Sequence, residues 1–221
     1  DMFNAMVDEM FEYGRFILKE KRKNPANDLL SAIANAEING EKLSDEFLDG
    51  SWLLIIFAGN DTTRNTMSGG IKLLHENQKQ KEMLIDNLEL LPNFINETVR
   101  CVSPVIHMRR TSLEETEING QKIGPYEKIA LWYGAANRDP DVFEDPDKFN
   151  ILRDNADKHL AFGIGRHTCI GKPVALMQLQ EFYSQFLTRF QDFEMNGDWK
   201  VAPNNFVHAI QEMPIKFSPS K

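Results

Sequence analysis

Ten consecutive residues, Phe162-Gly163-Ile164-Gly165-Arg166-His167-Thr168-Cys169-Ile170-Gly171, restrict the fold more than any other part of the chain. Glycines break the stretch at three places, so its backbone is bare and free to turn. A helical pattern begins directly after it, and Pro173 stands where a first-turn proline is tolerated because that N–H has no partner. Cys169 is thereby delivered to a helix N-terminus. Unpaired N–H groups and the positive end of the helix dipole favour a thiolate there. A thiolate so held serves as nucleophile, redox thiol or metal ligand.

Composition narrows the setting. The length of 221 residues fits one large domain or two small ones, and 42% hydrophobic residues supply a core. A net charge of −8 argues against nucleic acid as a partner. Cys101 and Cys169 are the only cysteines, too few for a disulfide framework, which suits a reducing cytoplasm. A zinc site is disfavoured, since zinc wants four ligands at suitable spacing. The longest apolar run, Trp52 to Gly59, falls far short of the roughly 18 residues of a membrane span, and no signal peptide is visible.

The first half reads as helices. Met2, Met6, Met10, Phe11, Phe16 and Ile17 have amphipathic helical spacing over 1–23, ending in a basic run read as a solvated end. Asn24-Pro25 breaks it, Asn27 or Asp28 caps a short helix to about Ala36, and Asn39-Gly40 is a turn. Ser44 caps the longest pattern, which runs to about Glu76. Gly59, Gly69 and Gly70 lie inside it, each costing about 1 kcal/mol relative to alanine. Around Gly59 the run Ala58-Gly59-Asn60-Asp61-Thr62-Thr63 puts an acid beside an alcohol, and such side chains compete for backbone hydrogen bonds. The spacing therefore predicts a locally weakened helix there. Helices over 78–88 and from Pro92 follow, the second carrying Glu97 and Arg100 three residues apart on one face.

The second half mixes in short strands. Val105–Thr111, Thr116–Ile118 and Ile129–Tyr133 carry β-type residues, with Asn119-Gly120 as a hairpin turn. A proline-interrupted connection, 137–153, leads to the cysteine loop. Residues 172–190 are helical, with Ala175, Leu176, Leu179, Phe182, Phe186 and Leu187 on the apolar side; short strands complete the chain. The fold class is mainly α with small antiparallel β-sheets.

Three motifs, in this order, resemble those of cytochromes P450: Ala58-Gly59-x-Asp61-Thr62, Glu97-x-x-Arg100, and Phe162-x-x-Gly-x-His167-x-Cys169-x-Gly171. The resemblance covers nearly all of the 221 residues and implies the C-terminal portion of that fold. The chain opens inside a helical pattern without an entry signal, so residues 1–221 are expected to form a partial domain whose N-terminal half is absent. The resemblance implies haem b with Cys169 as axial thiolate ligand, and Phe162, Gly163 and Gly171 in its binding loop. It implies that His167 and Arg110 bind the propionates, with His107 assisting or facing the substrate. Ala58 and Gly59 would bound the dioxygen pocket, Asp61 would relay protons, and Thr62 would hold oxygen and its water. A buried Glu97–Arg100 pair would be joined by a further arginine, Arg153 ahead of Arg138.

The implied activity is a monooxygenase inserting one oxygen atom from O2 into a hydrophobic substrate. Electrons would come from a ferredoxin-type donor with its reductase, meeting a basic patch of Lys158, Arg166 and Lys172. The wording of the motifs looks most like soluble bacterial enzymes that hydroxylate linear alkanes or fatty acids at the chain end. Sterol side-chain and terpene hydroxylases share much of it. A peroxide-driven relative is disfavoured by the Asp61-Thr62 pair, and a haem-free, non-catalytic fragment is the alternative of another class.

Overall fold

The computed structural model describes residues 2–219; Asp1, Ser220 and Lys221 lie outside the described residues. The chain divides into two compact units, residues 1–60 and 61–221.

The first unit begins with α1 (Met2–Lys23) and α2 (Leu29–Asn35). Asp28 caps α2, its carboxylate accepting from the Ser31 amide. A two-residue hairpin follows, β1 (Glu37–Ile38) against β2 (Glu41–Lys42). Asn39 and Gly40 turn it with positive φ, as an Asn-Gly pair permits. Next comes α3 (Asp45–Glu76), whose N-terminus is capped by the Ser44 hydroxyl accepting from the Phe47 amide. Leu18, Ala34, Leu48 and Trp52 form the unit's core. The Trp52 indole N–H donates to the Met10 carbonyl at 3.0 Å.

The buried face of α1 differs from the one that hydrophobic spacing predicts. Met2, Met6 and Phe16 are exposed, while Gly14 and Leu18 are buried. The reason is Gly14. A Cβ there would lie 2.5 Å from the Trp52 ring, so the helix turns its glycine to the indole. An apolar count cannot see a contact made by the absence of a side chain.

In the second unit, α4 (Gln78–Asp86), a 3₁₀ turn (Leu88–Leu90) and α5 (Leu91–Val102) follow α3. Then come β3 (His107–Thr111), β4 (Thr116–Ile118), β5 (Gln121–Ile123), β6 (Lys128–Trp132) and the single turn α6 (Tyr133–Ala136). Strand β3 pairs antiparallel with β6, setting Arg110 opposite Ile129, and β4 pairs with β5 across Asn119-Gly120. After a long irregular connection, α7 (Lys172–Arg189) precedes β7 (Asp192–Met195), β8 (Lys200–Val201), β9 (Ile210–Glu212) and β10 (Ile215–Ser218). Here β7 pairs with β10 and β8 with β9, so all the sheets among the described residues are two-stranded and antiparallel. Helices with small antiparallel sheets are the predicted fold class.

The core of this unit joins α3, α4, α5 and α7 through Ile71, Leu74, Leu84, Phe94, Val99 and Leu179. Phe94 meets Tyr183 edge-on at 4.7 Å and Phe149 at 6.2 Å. Each such buried ring contributes about 1.5–3 kcal/mol. Gly69 and Gly70 are required by this packing: a Cβ on the first would strike Val102 at 2.5 Å, and on the second the Tyr183 hydroxyl. Gly59 differs, since a Cβ there meets nothing within 4 Å. The predicted weakening near Gly59 does not interrupt the helix, which is α-helical through Ala58–Thr63. Among the described residues, no helix is long and apolar enough to cross a membrane.

Candidate functional site

The loop before α7 is built by its glycines. Gly163 and Gly165 both have φ of +69°, a left-handed conformation that glycine adopts without a Cβ penalty. A side chain at Gly163 would begin 3.3 Å from the His167 carbonyl oxygen, so this turn is also closed to anything larger. The Gly163 amide donates to the Leu160 carbonyl at 2.8 Å, and the Cys169 amide donates to the Phe162 carbonyl at 2.8 Å. These bonds fold the loop back so that Phe162 and Cys169 lie at its base. Between them, Gly165–His167 forms a single 3₁₀ turn. A Cβ on Gly171 would lie 3.8 Å from the Cys169 sulfur, so the glycine leaves the thiol open on that side.

Cys169 and His167 are exposed, and Phe162 is half-buried. Lys172 sits 5.5 Å from the Phe162 ring centroid, and the His159 ring lies 5.6 Å from it on the loop's approach. Ile164, Ile170, Val174 and Met177, along the loop and the start of α7, all expose apolar side chains. Helix α7 starts at Lys172 with Pro173 in its first turn, as the sequence predicts.

His159 itself was not legible as a site-supporting residue. It is buried, and its Nδ1 accepts from the Ala161 amide at 3.3 Å, holding the segment just ahead of Phe162. Burial, with the nearby charge of Lys172, lowers its pKa to about 4, so the ring is neutral. Asn137 is a second such residue. Its side chain accepts from the Leu160 amide at 2.6 Å and donates to the Ser103 hydroxyl at 2.8 Å, tying the loop's approach to the end of α5.

Strand β3 carries the predicted His107 and Arg110. Both are half-buried. His107 Nδ1 lies 2.8 Å from the Asn205 carbonyl, and the ring stacks on Trp132 at 4.8 Å. Arg110 donates to the Arg109 carbonyl at 3.0 Å. A cleft of about 360 Å³ opens among His107, Met108, Arg109 and Phe206. On α3, Asp61 and Thr62 are half-buried. Asp61 accepts from Arg64 at 2.6 Å, and the Thr62 carbonyl accepts from the Thr66 hydroxyl at 2.8 Å. Ala58 and Gly59 belong to the first unit, where both are exposed.

Helix α5 carries a buried carboxylate. Glu97 is fully enclosed and receives Arg100 in bidentate fashion at 2.7 and 2.8 Å. Arg153 Nε adds bonds of 3.1 and 3.2 Å to the same two oxygens. Arg153 is therefore the third member that the sequence suggested; Arg138 instead donates to the Cys101 carbonyl at 2.8 Å. Both guanidiniums also reach main-chain carbonyls of the 137–153 connection: Arg100 those of Asn137 and Pro146, Arg153 those of Glu144 and Lys148. Cys101 lies against this cluster, and burial together with Glu97 pushes its thiol up to about 12. That thiol stays protonated and unreactive, leaving Cys169 as the accessible sulfur.

A cytochrome P450 family profile matches residues 1–217. The chain belongs to the cytochrome P450 family. It is 36% identical over 214 residues to the linalool 8-monooxygenase of Pseudomonas putida, covering 97% of this chain and 52% of that enzyme. It is 37% identical over 211 residues to the steroid C26-monooxygenase of Mycolicibacterium smegmatis, covering 95% and 52%. Among solved structures, cytochrome P450-153 from Novosphingobium aromaticivorans superposes with a TM-score of 0.88 at 35% identity, over 99% of this chain and 54% of that one. The chain thus spans about half the length of the curated relatives it matches.

Cytochromes P450 carry haem on a cysteine thiolate, and the donor set here fits such a group. No cluster of three or more His, Cys, Asp or Glu side chains among the described residues is gathered for a bare metal ion. A haem would bring four nitrogens of its own and would ask the protein for one sulfur. The exposed thiol on a loop stripped of side chains at Gly163, Gly165 and Gly171 meets that demand.

Proposed function

We propose that this P450 chain forms part of a haem-thiolate monooxygenase that inserts one oxygen atom of O2 into a hydrophobic molecule. The observation that carries the reading is a single accessible cysteine at the base of a glycine-thinned loop, in a chain with the P450 fold. Residues 1–221 are then the C-terminal portion of a longer P450 domain, and the activity belongs to that longer protein. In balance, substrate, O2, two electrons and two protons give hydroxylated product and water.

Cys169 is the ligand to iron in this reading, and Phe162, Gly163, His167 and Gly171 shape its loop. Bound haem supplies the oxygen chemistry, with electron donation from the thiolate favouring O–O cleavage. Arg110 and His167 offer cationic or N–H groups to the two carboxylates that haem carries. His107, whose Nδ1 is turned to the Asn205 carbonyl, has only Nε2 left for a propionate or a substrate. Asp61 delivers protons, and the Thr62 hydroxyl holds water beside the reacting oxygen. To pass a proton inward Asp61 must leave Arg64, its partner in this structure. Such an exchange is cheap at a half-exposed ion pair. Ala58 and Gly59 keep α3 slender where oxygen binds, and the open space beside Gly59 supports that role. A ferredoxin-type donor with its reductase supplies the electrons, approaching the face of Lys158, Arg166 and Lys172.

For the substrate, two readings compete. Motif wording favours terminal hydroxylation of a linear alkane or fatty acid. The relatives named for linalool and steroid oxidation favour a terpene alcohol or a sterol side chain. Spectral titration of the full-length protein with alkanes, fatty acids, terpenes and sterols separates them. A response confined to sterols and terpenes would end the linear-chain reading, and a response to none of the four classes would remove the hydrophobic-substrate reading altogether.

A further inference from the structure

Asn65 is fully buried on α3, four residues after Asp61 and three after Thr62, and so lies on their side of the helix. Its Oδ1 accepts from the Ile210 amide at 3.0 Å, a link spanning 145 residues. Its Nδ2 meets no acceptor among the described residues. A buried amide satisfied at only one end costs a fold more than an apolar side chain of similar size. Packing alone therefore does not account for asparagine here.

Ile210 begins β9 and closes the segment that carries Phe206 and Val207. That segment is fixed to the approach of β3. The Ile106 amide donates to the Phe206 carbonyl at 2.8 Å, and the His208 amide donates to the Pro104 carbonyl at 2.9 Å. Val105 and Val207 form an antiparallel bridge. Phe206 lines the cleft beside His107 and Met108. On the helix side, the next turn is held by the Tyr183 hydroxyl, which donates to the Thr66 and Met67 carbonyls at 2.9 and 3.0 Å. The turn that follows Asp61 and Thr62 is thus held from α7 through Tyr183 and from the cleft-lining segment through Asn65.

We propose that Asn65 is a positioning residue that couples the Phe206–Ile210 segment to the Asp61–Thr62 turn, so that filling of the cleft sets the geometry of the proton-handling pair. This rests on the monooxygenase reading given above, but the mechanical link is testable without turnover. In the full-length protein, Val207→Gly loosens the segment, and hydrogen exchange is followed at the amides of residues 61–66. With Asn65 or Asn65→Asp, which keeps the acceptor, exchange there is expected to rise about tenfold. With Asn65→Leu, or Asn65→Ala should leucine not fold, Val207→Gly is expected to leave it unchanged. An equal rise in all backgrounds, or none with Asn65 itself, overturns the proposal. In turnover, Asn65→Leu is expected to lower product per electron pair and release peroxide, while substrate affinity stays within about twofold. Lost affinity with full coupling would reduce Asn65 to a structural contact and overturn its positioning role. A wild-type protein that binds no haem would instead refute the monooxygenase reading, and the exchange experiment would still decide the link.

Discussion

Arg153 Nε lies 3.1 Å from Glu97 Oε2, joining residues 56 apart in sequence inside a buried cluster. Arg100 holds the same carboxylate from the next turn of α5, so Glu97 faces two cations at once. Removing either arginine leaves buried charge without its full complement of partners. Arg153→Met is expected to cost about 3–5 kcal/mol in unfolding by denaturant. Arg138→Met, which breaks a half-buried bond to the Cys101 carbonyl, is expected to cost about 1 kcal/mol. Equal losses for the two would refute the assignment of Arg153.

Gly70 and Tyr183 make a second pair with a sharp consequence. A Cβ on Gly70 would fall on the Tyr183 hydroxyl, which bonds the carbonyls of Thr66 and Met67. Gly70→Ala is expected to destabilise the protein by about 1–3 kcal/mol through overpacking. Tyr183→Phe removes the hydroxyl, and the double variant is expected to fall short of the sum of the singles by about 1 kcal/mol. Strict additivity in thermal unfolding would contradict the contact.

His159 sets a pH dependence. Its folded pKa of about 4 lies below the ordinary value of 6.5, with burial the main cause and Lys172 second. The unfolded chain therefore binds a proton that the folded one refuses. The contribution is complete above about pH 6.5 and is lost as pH falls through the window from 6.5 to 4, amounting to about 3 kcal/mol. Asp157 and Arg100 also act on the ring, the first opposing the shift and the second adding to it. His159→Asn keeps an acceptor for the Ala161 amide but does not titrate. Its stability is expected to fall less over pH 6.5–4 than the parent's; identical profiles would show that the imidazole is not the titrating group.

How much of this was open to a reader of the sequence depends on the range of the interaction. The cysteine loop is legible because its glycines and its sulfur are neighbours, and α5 because Glu97 and Arg100 are one turn apart. Asn119-Gly120 announced its hairpin, whereas at Asn39-Gly40 the turn was plain but the two-residue strands beside it carry no period to read. Tyr183, Asn65, His159 and Asn137 escaped notice. Each is a single polar residue within an ordinary pattern, and three of them bond partners between 23 and 145 residues away. His159 differs: its partner is local, and burial by distant residues gives it weight. The buried face of α1 was hidden for the opposite reason, because Gly14 contributes by having no side chain.

Thr62 provides the test of the proton-handling pair. In the full-length enzyme, Thr62→Ala is expected to keep electron consumption near the parent's rate while product falls and peroxide appears, a loss of about 10²-fold or less in the chemical step. Unchanged product per electron pair would remove Thr62 from the role.

The central claim is that sulfur from Cys169 bonds iron. The direct measurement is the absorption of the reduced, full-length protein under carbon monoxide. The parent is expected to show the red-shifted Soret band that gives cytochromes P450 their name. Cys169→Ser and Cys169→His are expected to abolish that band, and Cys101→Ser to leave it in place. Persistence of the band in the Cys169 variants would contradict the account.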